Sequence, residues 1–443
     1  MLMKNKSINS LTKMTYILWI IIIFILLGGC RKEITLSSKV SEGYCEWGIP
    51  NQSTKLLGPM DYNANYTGII FSTRRAEKIL IQGNFPHSRY ASFMLYDQNL
   101  MPIDKLTDIE IVPRSGVNPF QPGIERARET LGEFELQVLM EPIPVGKKPP
   151  NTLYAGLTYD GKPNSRALLA YRVYLPDKGY GQIDNHPWAY FGGVNPPSFQ
   201  IIDKQGNHIC PKKFQTKINF LRMVLASLKI NQEITSNPFK LVGQPQNPPV
   251  WINLGSEQSQ EVSSSSLVPN LDTAYLATAV SNKFGELLVL RWVAPQTPAQ
   301  TFFGKPFPEK YDLRYWSITF CYQDPKQPLG VYSEFGKTIT DINVPMLPDG
   351  SRQIIIGLGA IPKPDFIPED QWLSVEHKEG ILVMRNILIS PNYPGDFRKM
   401  PPGTITPEND KFTPGGVYCT IKELANNPDI GLTREKLIKN LKK

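Results

Sequence analysis

Only four histidines occur in the chain, His87, His186, His208 and His377, and none stands at His-x-His, His-Glu-x-x-His or another spacing that turns two imidazoles toward one metal. The nearest approach is His208-x-Cys210, a two-ligand pair that an ordinary loop explains equally well, so no metal is expected. The sequence also lacks a Gly-x-Ser-x-Gly elbow, a P-loop and a dinucleotide fingerprint. Gly179-Tyr-Gly181 has two glycines and nothing more of a phosphate loop, and no cofactor is expected. Charge of one sign is scarce too. The formal net charge is +8, of which Lys4, Lys6 and Lys13 contribute three, and the rest is thinly spread along the chain. That balance is too mild to imply a nucleic-acid partner, and none is expected. The lysines of the C-terminus, Lys436, Lys439, Lys442 and Lys443, read as a solvated helix end.

A long hydrophobic run is missing as well, and the longest one present is informative. Three lysines precede an uncharged stretch from Met14 to Gly29, almost wholly apolar between Tyr16 and Leu27, that ends in Leu27-Gly-Gly-Cys30. It is short for a bilayer span of about 20 residues and fits the apolar region of a signal peptide. The ending resembles the bacterial lipoprotein signal, in which small residues admit the peptidase and the following cysteine takes a diacylglycerol. By that resemblance Cys30 is the acylated N-terminus of a mature protein bound to a membrane. Several acyl chains, each worth about 0.8 kcal/mol per buried CH₂, make such a tether firm. Arg31 follows the cysteine instead of the aspartate that retains many lipoproteins at an inner membrane, which favours an outer membrane, periplasmic face or surface, in a Gram-negative cell. Residues 1–29 are thus expected to be a signal peptide, and 30–59, polar and unpatterned, a tether.

What the chain has in quantity is punctuation: 40 prolines and 33 glycines, with hydrophobic residues at 41%. Frequent breaks favour many short strands over long helices. Two stretches stand out, Ser88-Arg-Tyr-Ala-Ser-Phe-Met-Leu-Tyr96 and Leu313-Arg-Tyr-Trp-Ser-Ile-Thr-Phe-Cys321, each with Arg-Tyr-x-Ser leading into alternating apolar residues. Other blocks recur in the same order. Tyr66, Ser72, Glu77 and Pro86 stand opposite Tyr275, Ser281, Glu286 and Pro295 at a spacing of 209, and Ala167–Leu175 opposite Gly380–Leu388 at 213. The first block of each copy reads as a β-hairpin. Candidate strands at Phe134–Met140 and Gln353–Leu358 complete the series. The expected fold is mainly β: two duplicated β-sandwich or half-barrel units, residues 60–178 and 270–392, packed as a pseudo-twofold pair with one or two short amphipathic helices. Between them, residues 179–269 hold an aromatic loop, a helix over Lys212–Ile230 with an apolar stripe through Phe214, Ile218, Leu221, Val224, Leu225 and Leu228, and a Pro/Gln/Ser-rich linker. Residues 393–443 form a tail with a short helix at about Thr433–Leu441.

Phe85-Pro-His-Ser-Arg-Tyr-Ala-Ser-Phe93, Leu95-Tyr-Asp97, Val117-Asn-Pro-Phe120, Asn151-Thr-Leu-Tyr-Ala-Gly156, Tyr171-Arg-Val-Tyr-Leu-Pro-Asp-Lys-Gly179 and Leu313-Arg-Tyr-Trp-Ser317, taken as a set, resemble the motifs of a family of exported bacterial proteins of unknown function. The likeness spans roughly residues 60–400 and implies β-rich tandem domains. It brings no catalytic residues. The family carries a second cysteine some residues after the Arg-Tyr-Trp-Ser strand, where this chain has Thr340-Asp-Ile-Asn343, which leaves the pairing of Cys321 open.

Candidate functional residues follow from the repeats. Arg89, Arg172, Arg314 and Arg385 recur at matching places and, with Tyr90, Tyr315 and Trp316, suit either a symmetric anion site between the sheets or ion pairs that fix the fold. Trp188 and Tyr190 sit with Tyr180, Asp184 and His186 in one aromatic loop suited to a sugar or peptide. Cys45, Cys210, Cys321 and Cys419 allow two disulfides in three connectivities, or buried thiols. The expected role is a non-enzymatic, envelope-anchored ligand-binding or assembly protein, its partner an unidentified ligand or envelope protein. The alternative is a secreted hydrolase of glycans or other envelope polymers, using carboxylates such as Asp97, Asp104 or Asp108.

Overall fold

Eighteen strands alternate with short turns in a computed structural model that describes residues 44–48, 60–126, 132–176, 191–212, 216, 219, 223, 242–255, 269–298, 305–323, 331–401, 411–428 and 430. They are β1 (Ala64–Phe71), β2 (Ala76–Asn84), β3 (Ser88–Tyr96), β4 (Pro102–Thr107), β5 (Pro113–Ser115), β6 (Glu133–Leu139), β7 (Thr152–Tyr154), β8 (Ala167–Pro176) and β9 (Ser198–Asp203) in the first half. The second half holds β10 (Ile252–Gly255), β11 (Thr273–Ser281), β12 (Leu287–Val293), β13 (Leu313–Gln323), β14 (Val331–Thr340), β15 (Ser351–Leu358), β16 (Trp372–Val375), β17 (Glu379–Ile389) and β18 (Gly415–Cys419), followed by one helix, α1 (Ile421–Asn426).

Sheet I runs β1-β8-β3-β4, and sheet II runs β9-β2-β6 with β5 and β7 both against β6. Sheet III runs β10-β11-β17-β13-β14, and sheet IV β18-β12-β15-β16. Leaving aside β5 and β10, the two halves repeat one strand order. Even the exception to antiparallel pairing recurs, because β7 lies parallel to β6 and β16 parallel to β15. Register repeats with it: Tyr66 faces Arg172 and Ser92 faces Arg172, as Tyr275 and Ser317 face Arg385. Leu175 and Leu388 both adopt positive φ, 46° and 51°, and each gives its N–H to the chain entering its half, at Asn63 and Asp272. That backbone region costs an L-residue about 1 kcal/mol or more, so these bonds hold it in place.

Sheets I and II close on Ile69, Phe93 and Leu169 from one side and Ile79, Leu136 and Phe199 from the other. Sheets III and IV close on Leu276, Ile318 and Leu382 against Leu288, Ile354 and Ile356. Both units are therefore sandwiches, not half-barrels. The other faces of sheets I and III are buried too, where Ala64, Tyr90 and Tyr174 meet Tyr315 and Ile387. Strands buried on both sides lose the alternation of a half-exposed sheet, and all nine residues of β3 are buried whereas β2, in an outer sheet, alternates.

That contrast explains a misreading. The stretches expected as hairpins, β1 with β2 and β11 with β12, do not pair; each crosses from an inner sheet to an outer one through a tight turn such as Ser72–Arg75. Three other strands lie outside the expected unit boundaries. β9 completes sheet II; β10, with buried Trp251 beside it, stands in the Pro/Ser-rich linker; and β18 in the tail completes sheet IV. Part of the presumed tether is also structural. Cys45 bridges Phe199, and Trp47 donates to the Pro197 carbonyl at 2.7 Å while packing on Phe199. Of the predicted helix 212–230, Thr216, Asn219 and Met223 are described and helical, and Met223 is buried against Ile70, Met94 and Tyr96 of sheet I. The predicted helix 433–441 and the signal segment with Cys30 lie outside the described residues.

Candidate functional site

The Arg-Tyr-x-Ser strands meet where sheets I and III face each other. Arg89 donates to the main-chain carbonyl of Arg314 at 3.3 Å, and Arg314 to the carbonyl of Arg89 at 3.3 Å. Arg89 also pairs with Asp341 at 2.6 Å across the seam, and Arg314 with Asp108 at 3.4 Å in the opposite direction. All four side chains are buried. Each half thus supplies one arginine and receives one carboxylate. A buried charge is tolerable when its partner is buried beside it, and Asp108 is helped further by the Ala91 N–H at 2.6 Å. Burial still outweighs Arg314 and pushes the Asp108 carboxyl up to about 6. Arg314 stacks 4.4 Å from the centroid of Phe307, which Arg126 approaches to 4.5 Å.

The tyrosines exchange across the same seam. Tyr315 donates to Asp61 at 2.7 Å, joined there by Ser317 at 2.6 Å. Tyr90 donates to Asp272 at 2.7 Å and touches Asn270, while Thr107 and Lys105 add 2.6 Å and 2.7 Å contacts to Asp272. Asp61-Tyr-Asn63 and Asn270-Leu-Asp272 stand 209 residues apart with acid and amide interchanged, so each half's entering segment supplies a carboxylate to the other half's tyrosine. Arg172 reaches the Tyr96 hydroxyl and the Met94 sulfur, and Arg385 gives its Nη1 to Thr319 at 2.7 Å. Burial works against the charge on Arg385, but Asp61, Tyr66 and Tyr275 hold its pKa above the ordinary value.

Trp316 does not join this seam. Neighbouring residues of a strand face opposite sides, so Tyr315 enters the seam and Trp316 the core of the second sandwich, against Trp292 at 5.3 Å. Trp188 and Tyr190 lie outside the described residues, as does Cys30. Cys45 and Cys210 form a disulfide, which removes the Cys210 sulfur from any pair with His208. Cys321 and Cys419 are buried free thiols, both pushed up to about 11 by burial, so the two-disulfide arrangement is not realised. Asp97 caps a turn, accepting the N–H groups of Asn99, Met101 and Tyr159. Asp104 binds Lys148 at 2.6 Å and the Tyr154 N–H. Among the described residues, no three His, Cys, Asp or Glu side chains converge as a metal site.

The seam carboxylates Asp61, Asp272 and Asp341 were not singled out in the sequence. The gapless match beginning at Tyr66 and Tyr275 reaches Asp61 and Asp272 if carried back five residues, where the interchanged Asp and Asn are the signal; Asp341, just after β14, lies outside that match. Arg352, Asn386 and Trp292, which gather round Trp316, had no such signal.

No family model matches the chain, and no curated protein matches it. Among solved structures, it is similar to an uncharacterized protein from Burkholderia cenocepacia, with 13% identity over 78% of this chain and 80% of that one, at a TM-score of 0.47. A protein from Vibrio parahaemolyticus is similar at 11% identity over 78% and 89%, with a TM-score of 0.41.

Proposed function

We propose that this protein is an envelope lipoprotein, tethered by lipid on Cys30, that works as a rigid non-enzymatic body for holding a ligand or assembling with an envelope partner. The observation that carries the reading is the exchanged seam. Arg89, Arg314, Asp108 and Asp341 are consumed in locking two sandwiches together, which suits a preorganised body more than a cleft that works on a substrate. Asp97 and Asp104 likewise serve turns and a lysine. The Cys45–Cys210 disulfide supports an oxidising compartment, as the signal segment does.

The tether is tested by mass spectrometry of the mature N-terminus together with fractionation of cells. A diacylglyceryl-modified Cys30 at the N-terminus and membrane recovery are expected, with Cys30→Ala moving the protein to the soluble fraction. An unmodified Met1 at the N-terminus defeats the reading.

A further inference from the structure

The repeated register allows the two sandwich cores to be compared position by position. In the first, Gly83 faces Phe134 and Ala91 faces Val173; in the second, the same places hold Trp292 facing Arg352 and Trp316 facing Asn386. One corner of the fold is thus wholly apolar in one copy and carries two indoles, a guanidinium and an amide in the other. The fold itself does not require the polar set.

The four side chains gather round Trp316. Trp292 and Trp316 lie 5.3 Å apart edge to face, and Arg352 Cζ lies 5.6 Å from the Trp316 centroid. Directly opposed residues share a sheet face with Cβ atoms about 5 Å apart, which sets Asn386 beside Trp316 and Arg352 beside Trp292. Trp292, Trp316 and Asn386 are at most 1% exposed, while Arg352 is half-buried and reaches the surface. Among the described residues, Trp292 Nε1, Trp316 Nε1, Arg352 Nε and both Asn386 amide atoms have no hydrogen-bond partner. Leaving such groups unmade costs about 1–3 kcal/mol each, and a group of them in one place calls for a polar occupant.

The charge chooses the occupant. Arg352 donates to the carbonyls of Asp341 and Val344 and to no carboxylate among the described residues. Asp341, the carboxylate whose charge acts on it, is already held by Arg89 at 2.6 Å. One carboxylate therefore serves two guanidinium groups, and the corner has a positive excess with four unpartnered N–H groups, two indole, one guanidinium and one amide, and one amide oxygen.

We propose that this corner, Trp292, Trp316, Arg352 and Asn386, is a binding site for a small oxyanion of the carboxylate or phosphate class, entering past Arg352. The proposal rests on the binding reading above and can fail independently of the tether. Acetate and inorganic phosphate, titrated separately into the full mature chain by calorimetry and tryptophan emission at constant ionic strength in chloride, distinguish the two sources. At least one is expected to saturate in the millimolar range or below. Asn386→Val installs the residue of the first sandwich. It should keep the fold, unfold at a higher temperature than wild type without anion, and bind at least about tenfold more weakly. Trp316→Phe, which keeps a ring but loses the indole N–H, and Arg352→Lys, which keeps the charge but loses the planar guanidinium donors, should weaken binding similarly. If neither anion gives a saturable response beyond chloride, or if Asn386→Val binds as tightly as wild type, the corner is a hydrated core defect and the proposal is wrong.

Discussion

Arg89 illustrates how one residue type admits two meanings until its partner is known. Its guanidinium is buried against Asp341, so truncation to Ala strands a buried carboxylate and should cost about 3–5 kcal/mol in denaturant-induced unfolding. Replacing both partners together, Arg89→Met with Asp341→Leu, should cost much less. If the single and double variants lose equal stability, the pair is not coupled. Asp108 gives a pH signature. Its folded pKa, about 6, lies above the ordinary carboxylate value because burial disfavours the charge. The folded state therefore binds the proton more tightly than the unfolded one. The stability contributed is complete below about pH 4 and is lost as pH rises through about 6. Asp108→Asn should flatten this part of a melting-temperature profile between pH 4 and 7, and an unchanged profile would show that Asp108 does not titrate there.

At the scale of elements, the strands that stood out in the sequence are those that repeat. β3, β13, β8 and β17 were visible because they are buried on both faces and therefore aromatic and branched throughout. Their sheet partners were harder to see. β1 and β2 are adjacent in sequence and both apolar, yet they belong to different sheets, a choice made by packing that no two-residue pattern encodes. β18 begins with two glycines and β10 lies among prolines and serines, so neither looks like a strand until sheets IV and III need an edge. The polar corner was unreadable for a related reason: Arg352 and Asn386 acquire meaning only when register shows what opposes them. The Cys45–Cys210 link pins the segment before β1 to β9. Reduction or Cys45→Ser should lower stability by about 2–5 kcal/mol. A reductant that leaves the melting temperature of wild type unchanged would contradict this.

For the whole molecule, the exchange of Asp61 and Asp272 makes the two sandwiches one cooperative unit. Expressed separately, residues 44–241 and 242–443 should each fail to unfold cooperatively, because each lacks the partners that its buried seam carboxylates, arginines and tyrosines find in the other half and exposes a face of aromatic side chains. The intact chain should melt in one transition, and two independent transitions would refute the coupling.

The order in which the parts are made follows from the same seam. Asp61 is produced early, but the hydroxyl groups that settle it belong to Tyr315 and Ser317, 254 and 256 residues further on. The first sandwich therefore remains unfinished, its charged residues without their counterparts, until most of the polypeptide has emerged, and a chain of this design is one that stays threadable late into its own synthesis.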